Sequence, residues 1–463
     1  MSAPPPLSKR SSYKLILWLV LAGGLLVLLS FIIWRTSISW QVHSRLAALR
    51  QAGYPTTQQE LEDKYYAPVD PASNTAFFFN AAFAKLKLTN SPGEKVFEKF
   101  VGTTSNLTAP FSPADTSNTI KLLADNRAAL DLLHQTPPGT VCRYPVDFSM
   151  GIAMPLPHLS QIKLAAQLLS LEAVWDSSND RTIEAGDDLD AAFRVTDSLK
   201  NEPLLISQLV RFSCSSLIGS SLQRILSRQA LSDSQLSHLA DEFQREENPF
   251  AIERALAGET CTGIMLFETG PAGVAVPGDS SNSGDERSNA GQTKSKLGWE
   301  SLNLIGFTTR DLNFFLTTMS QYLAATKVPF PRKLDATKLA EDEFLTNYPG
   351  HFYIFSGLLI PALGKSATKE AVVLANLRNA ETALAIERYR LVHQNQLPEK
   401  LSDLVPAFLP EVPSDPFNGK LLRYQKLSTG YEVYSVGPNR VDDHGVKSTK
   451  VNGPDDITFT VQR

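Results

Sequence analysis

The chain has 463 residues, 43% hydrophobic and 20% charged, with a formal net charge of -4 and an isoelectric point near 6.0. That is the composition of a globular protein long enough for two or three domains. The near balance of charge, broken by no basic block beyond Lys9-Arg10, argues against a nucleic-acid partner.

Residues 1–14, rich in Pro, Ser and Lys, read as a disordered cytoplasmic tail. Residues 15–34, LILWLVLAGGLLVLLSFIIW, are uncharged and apolar throughout. Roughly 20 residues rising about 1.5 Å each cross the hydrocarbon core of a bilayer, about 30 Å thick. Trp18 and Trp34 then fall near the two interfaces. A cleaved signal peptide is the alternative, with an apolar stretch of about 7–15 residues and a small-x-small cleavage site. Ile33-Trp34-Arg35 stands where that site belongs, so the segment reads as an uncleaved transmembrane helix. Lys9, Arg10 and Lys14 before it, against Arg35, Arg45 and Arg50 after it, bias the amino terminus only slightly toward the inside.

Residues 35–157 read as a stalk and an amino-terminal extracytoplasmic region. Ser39 to Gln51 continues the membrane helix until Gly53-Tyr54-Pro55 stops it. A short helix follows at Thr57 to Leu61, and another over Asn74 to Leu86. Residues 158–269 carry a helical array. Ser160 to Trp175 is apolar around most of its circumference, as a buried helix is. Leu189, Ala192, Phe193, Thr196 and Leu199 mark one face of the next helix, and Leu204 to Arg228 form a third. Ser232-Asp233-Ser234-Gln235 is a capping box for a fourth. Short polar turns between helices of similar length point to α-hairpins of a tetratricopeptide-like kind, without a repeat motif.

Residues 270–297 lack bulky apolar side chains and read as a flexible linker. Residues 298–358 return to helix, with Leu312, Phe315, Met319 and Tyr322 on one stripe. His351 to Leu363, HFYIFSGLLIPAL, is too short to cross a membrane; it reads as a buried segment, with a membrane-surface patch as the alternative. Ser366 to His393 forms one long helix, stopped by Leu397-Pro398, with a helical turn at Glu399 to Leu404. Asn418-Gly419 and Thr429-Gly430 are turn signals. Strands are expected at Leu421 to Lys426, Tyr431 to Val436 and Ile457 to Val461. The fold class is therefore mainly α, closed by a small α+β module with an antiparallel sheet.

Within residues 359–463, Leu359-Ile360-Pro361-Ala362, Ala380-Glu381-Thr382-Ala383-Leu384, Tyr389-Arg390, Leu397-Pro398, Asp415-Pro416-Phe417, Gly419-Lys420, Leu422-Arg423-Tyr424 and Tyr434-Ser435-Val436-Gly437 recur in order. Their order and spacing resemble the type II secretion major pseudopilin. The resemblance implies a helix laid across a small sheet, and a bacterial envelope. It also implies a calcium loop before the last strand, corresponding here to residues 437–457 with Asp442, Asp443, Asp455 and Asp456 as oxygen donors. Asn439 and Pro454 replace acidic positions, and Lys447 and Lys450 oppose a cation, so a solvated acidic loop is the competing expectation. No processing signal precedes Leu359.

No catalytic motif is present, and no catalytic, cofactor-binding or metal residue is assigned. None of the seven histidines pairs with another at metal spacing. His158 reads as a cap or half-buried side chain and His393 as a cation at a helix end. Glu184, Asp187, Asp188 and Asp190 form an acidic cluster; metal binding is the alternative, but the Gly186-Asp187-Asp188 start of an amphipathic helix, where acidic residues suit the dipole, explains it better. The serines from Ser213 to Ser221 read as helix-packing residues. Cys142, Cys214 and Cys261 fit either one disulfide or three buried thiols. The sequence thus leads to a single-pass inner-membrane protein with an extracytoplasmic body, working by protein contact beside secretion or pilus-like machinery. An envelope hydrolase whose site forms only in the fold, and a divergent filament subunit, are its rivals.

Overall fold

The computed structural model describes residues 9–87, 91–102, 106–137, 141–270, 303, 305–348, 350, 353–446 and 456–463. One helix, α1 (Lys9–Gln51), runs through the whole apolar segment and beyond it on both sides. It begins at Lys9, so six residues assigned to a disordered tail are helical. Once nucleated in the apolar run, a helix extends at little cost through Lys9 to Lys14, where no Pro or Gly interrupts it. From Tyr13 to Gln51 it is long and apolar enough to cross a membrane, and its apolar part is unburied.

Past Trp34 the helix stops being free. Ile38, Val42 and Leu49 are buried against α11 (Phe307–Thr326). Arg45 Nε donates to Asn313 Oδ1 at 3.0 Å, and Asn313 Nδ2 donates to Gln41 Oε1 at 3.0 Å. The expected stalk is a strut bolted to the body.

Thr57 caps a short turn, α2 (Gln58–Glu60), which leads through a wider turn at Leu61–Tyr65 toward α3 (Ala76–Phe83) and α4 (Ser91–Phe100). The long helix α5 (Pro113–His134) starts with Pro113 at its first position and a reciprocal Ser112–Asp115 capping box. Then come α6 (Pro157–Ser177), α7 (Thr182–Asp197), α8 (Leu205–Leu226), α9 (Asp233–Glu246) and α10 (Ala251–Thr269). The Ser232–Gln235 box predicted for α9 is formed on both sides. The segment expected to be a linker falls almost wholly outside the described residues. After α11 come α12 (Arg332–Asn347), the short α13 (Ile354–Leu359) and α14 (Ser366–Val392).

The chain ends in a three-stranded antiparallel sheet of order β1-β2-β3: β1 (Arg423–Leu427), β2 (Gly430–Ser435) and β3 (Ile457–Gln462). Register is set by Tyr431 opposite Val461 and Val433 opposite Phe459. Helix α14 packs on β2 and β3 while its other sides meet α8 and α9. Tyr431 Oη donates to the Ala383 carbonyl at 3.1 Å, and Asn379 Nδ2 to the Ile457 carbonyl at 2.7 Å. One continuous apolar core runs from Val42 of α1 to Val461 of β3.

The outer edge of β3 is closed by α8. Gln223 Oε1 accepts from Thr460 N at 3.0 Å, and Ser227 Oγ accepts from Gln462 N at 3.1 Å. An edge strand's unpaired amides otherwise invite another chain. All three cysteines are buried free thiols.

Candidate functional site

The acidic segment of α7 is not where the sequence puts it. The helix starts at Thr182, so only Glu184 lies in the first turn. Asp188 and Asp190 sit deeper in the helix, and each meets a histidine from a different neighbour. Asp188 is buried, and His134 Nε2 from the end of α5 lies 3.1 Å from its Oδ1 and 3.3 Å from Glu172 Oε2 on α6. Arg127 NH1 closes the cluster on Glu172 Oε1 at 2.6 Å. Hydrogen bonds to Asp188 and Glu172 push the imidazole up to about 9, and burial pushes the Asp188 carboxyl up to about 7. The donor atoms of His134, Glu172 and Asp188 lie within 4.8 Å of one another, a mixed nitrogen and oxygen set of the kind zinc accepts. Two cations already face two carboxylates there, so the cluster is balanced as an ion-pair clamp joining α5, α6 and α7.

On the other side of α7, His238 Nε2 of α9 lies 2.8 Å from Asp190 Oδ2 and 3.7 Å from Glu242 Oε1. This pair opens onto a cleft of about 750 Å³ between α7, α9 and the end of α14, with Ile183, Leu231 and Leu391 on its apolar walls. His238 is half exposed, and Gln235 Nε2 donates to the Thr182 carbonyl at the helix start.

A larger groove of about 780 Å³ lies between the α9–α10 turn, the α11–α12 connection and α14. Its floor is apolar, with Phe212, Val373, Leu374 and Leu377, and Phe250 stands exposed among its lining residues. Two pairs of its charges are spent on each other, while Lys327 lies over the Tyr54 ring and Glu253 accepts from Tyr54 Oη. Lys333 Nζ reaches both Glu370 oxygens at 3.1 and 3.2 Å, in a pair that is almost fully buried. Burial pushes the Glu370 carboxyl up to about 7, and Lys333 draws it back. Arg378 grips Glu247 at 3.0 and 3.2 Å and donates to the Ser414 carbonyl at 2.7 Å.

His158 follows Pro157 in the first turn of α6 and is buried. Its Nε2 lies 3.0 Å from Glu202 Oε1, which also accepts from Ser207 Oγ at 2.5 Å, and its ring stacks on Tyr144 at 4.4 Å. The imidazole is a buried structural tie to Glu202; it is not the cap that the sequence suggested, since the N-cap is Leu156 with no side-chain capping bond. His393 Nδ1 donates to the Tyr389 carbonyl at 2.8 Å and closes the last turn of α14. His351 and Asp455 lie outside the described residues. In the loop compared with a calcium site, Asp442 Oδ2 is held by Arg423 Nε at 2.7 Å, and Asp443 Oδ2 accepts from Asn439 Nδ2 at 2.8 Å. Asp456 accepts the Gly445 N–H at 2.7 Å. Of the serines on α8, Ser215 donates to Glu246 at 3.2 Å and Ser220 accepts the Gly102 N–H at 3.0 Å, both packing roles.

The sequence flagged Asp188 and Asp190 but not His134, Glu172, His238 or Glu242. Each partner comes from another helix, so no spacing connects them. The chain matches no protein-family model, no curated protein and no solved structure.

Proposed function

We propose that this is a membrane-anchored, non-enzymatic interaction protein of a bacterial envelope, with α1 as a single-pass inner-membrane span and the body extracytoplasmic. Consecutive helices joined by short turns support an α-hairpin array of the tetratricopeptide-like kind. A helix laid across a three-stranded antiparallel sheet supports a pseudopilin-like module at the carboxy terminus, and with it a place beside type II secretion or pilus-like machinery.

One observation carries the interaction role: the 780 Å³ groove has an apolar floor, an exposed aromatic among its lining residues, and two charge pairs, Lys333–Glu370 and Arg378–Glu247, that are tied up with each other. Such a surface offers shape and apolar area rather than a reactive group. The occupant we assign is an apolar segment of a partner protein, with Phe250 as the anchor on this side. A photo-crosslinking residue at Phe250, activated in intact membranes, is expected to give one discrete protein adduct. Leu374→Arg, in the groove floor, is expected to abolish it while leaving the protein level unchanged. An adduct that persists in Leu374→Arg, or no adduct at all, contradicts the role.

An enzymatic reading has one observation in its favour, the half-exposed His238 held by Asp190 at the mouth of the second cleft. Among the described residues its polar partners are those two carboxylates, Asp190 and Glu242, with no hydroxyl or thiol bonded to the ring. The interaction reading therefore stands first.

A further inference from the structure

We propose that α13 and the turn after it lie on the membrane surface, giving the body a second lipid contact beside α1. This rests on the reading of α1 as a membrane span. The unbroken exposed apolar run of α1 ends at Trp34, burial begins one turn later at Ile38, and Trp40 stays 71% exposed just beyond it. The start of α11 is seated at that same level. Gly306, at φ +81, packs so closely that a Cβ there meets Arg35 Cδ at 2.9 Å and the Trp34 ring at 3.2 Å. Arg35 also donates to the Asn303 carbonyl at 3.4 Å.

Helix α13 is tied to the first turns of α11. Asp311 accepts from Phe355 N at 2.9 Å, Ser356 N at 3.2 Å and Ser356 Oγ at 2.5 Å. Arg310 Nε donates to Tyr353 Oη at 3.1 Å, and the Tyr353 ring stacks on Phe314 at 4.3 Å. Asp311 is four residues into α11, about 6 Å along its axis at about 1.5 Å per residue. That places α13 within the interfacial layer in which amphipathic segments bury about 5–10 Å of apolar face.

The chemistry of the face fits lipid. Ser356 and Ile360 point into the body and are buried. Ile354 and Leu358, one turn apart, are 55% and 63% exposed, and nearby Ile305 is 55% exposed. Pro361 and Ala362 continue the exposed face, and Lys365 follows as its first charge. From Tyr353 to Lys365 there is no Asp or Glu. An apolar stripe ending in a lysine suits acyl chains on one side and anionic headgroups on the other.

The test uses the full-length chain in vesicles of phosphatidylcholine and phosphatidylglycerol whose acyl chains are brominated near the headgroup. Single cysteines carrying an environment-sensitive fluorophore replace Leu358, Leu25 in the span and Ile183 on the far helix α7; the native thiols are buried and stay unlabelled. The expected result is a blue shift and quenching at Leu358→Cys and Leu25→Cys, with neither at Ile183→Cys. Quenching at Leu25→Cys but not at Leu358→Cys overturns the surface contact while leaving the span intact. No quenching at Leu25→Cys overturns both.

Discussion

Asp415 has no exposed surface, and four groups donate to it: Phe417 N, Ser435 Oγ and Val436 N, each at 2.9 Å, and Arg423 NH1 at 3.5 Å. The Asp-Pro-Phe-Asn-Gly sequence is therefore a clasp. Its carboxylate ties the turn to the end of β2, and Phe417 fills the space between α12 and α14 beside Leu334, Ala371 and Val436. Asp415→Ala leaves those donors unsatisfied, and is expected to cost on the order of 3 kcal/mol, read from the urea midpoint of the detergent-solubilised protein. A shift within error removes the clasp from the account. Proton binding is the second residue-scale lever. Asp188 is raised by burial from 3.8 to about 7, and His134 by Asp188 and Glu172 from 6.5 to about 9. Both hold protons more tightly in the folded chain than in the unfolded one. The Asp188 contribution is complete below 3.8 and lost as pH rises through about 7; the His134 contribution is complete below 6.5 and lost through about 9. Thermal stability is thus expected to fall as pH rises across this interval, and His134→Gln to flatten its upper part. A stability that rises between pH 7 and 9 contradicts the clamp.

At the scale of elements, much of the architecture was legible because its signals are local. The Ser232 capping box, the Thr429-Gly430 turn and the alternation around Tyr431 and Val433 each act within a few residues, whereas α14 ends at Val392, ahead of Leu397-Pro398, where Gln394 and Asn395 take positive φ. The helices α4, α5 and α12 went unread, although α4 is amphipathic and α5 opens with Pro113 and its Ser112–Asp115 capping box. In α5 polar residues are scattered through the face, and Asn126 is buried because its amide reaches the Leu122 carbonyl and the Lys87 N–H, contacts that no periodicity announces. The paired histidines were illegible for the same reason: the whole of α6 separates His134 from Asp188 along the chain. Close approaches between helices are another long-range property. A Cβ at Gly258 of α10 sits 1.8 Å from the Pro203 carbonyl oxygen, and backbone cannot swing aside as a side chain can. Gly258→Ala is expected to destabilise by about 1–3 kcal/mol through forced separation of α10 from the start of α8. A neutral outcome in chemical denaturation means that this contact is looser than described.

At the scale of the whole molecule, the sheet is not a detached tail. Helix α14 lies between it and α8 and α9, and α8 side chains close the β3 edge. Arg463 NH2, next to the carboxy terminus, pairs with Glu387 at 3.0 Å, and its Nε donates to the Leu226 carbonyl at 2.6 Å. The same core reaches Val42 and Leu49 of α1, so the long apolar helix and the last strand belong to one packed unit. The central claim is that α1 holds this unit in a bilayer by apolar insertion. The most direct measurement is flotation of the full-length protein with vesicles in a density gradient after a high-salt wash, because salt screens headgroup attraction and leaves insertion untouched. The account predicts that the protein rises with the lipid and is released only by detergent. Recovery in the aqueous fraction, folded and free of lipid, contradicts it.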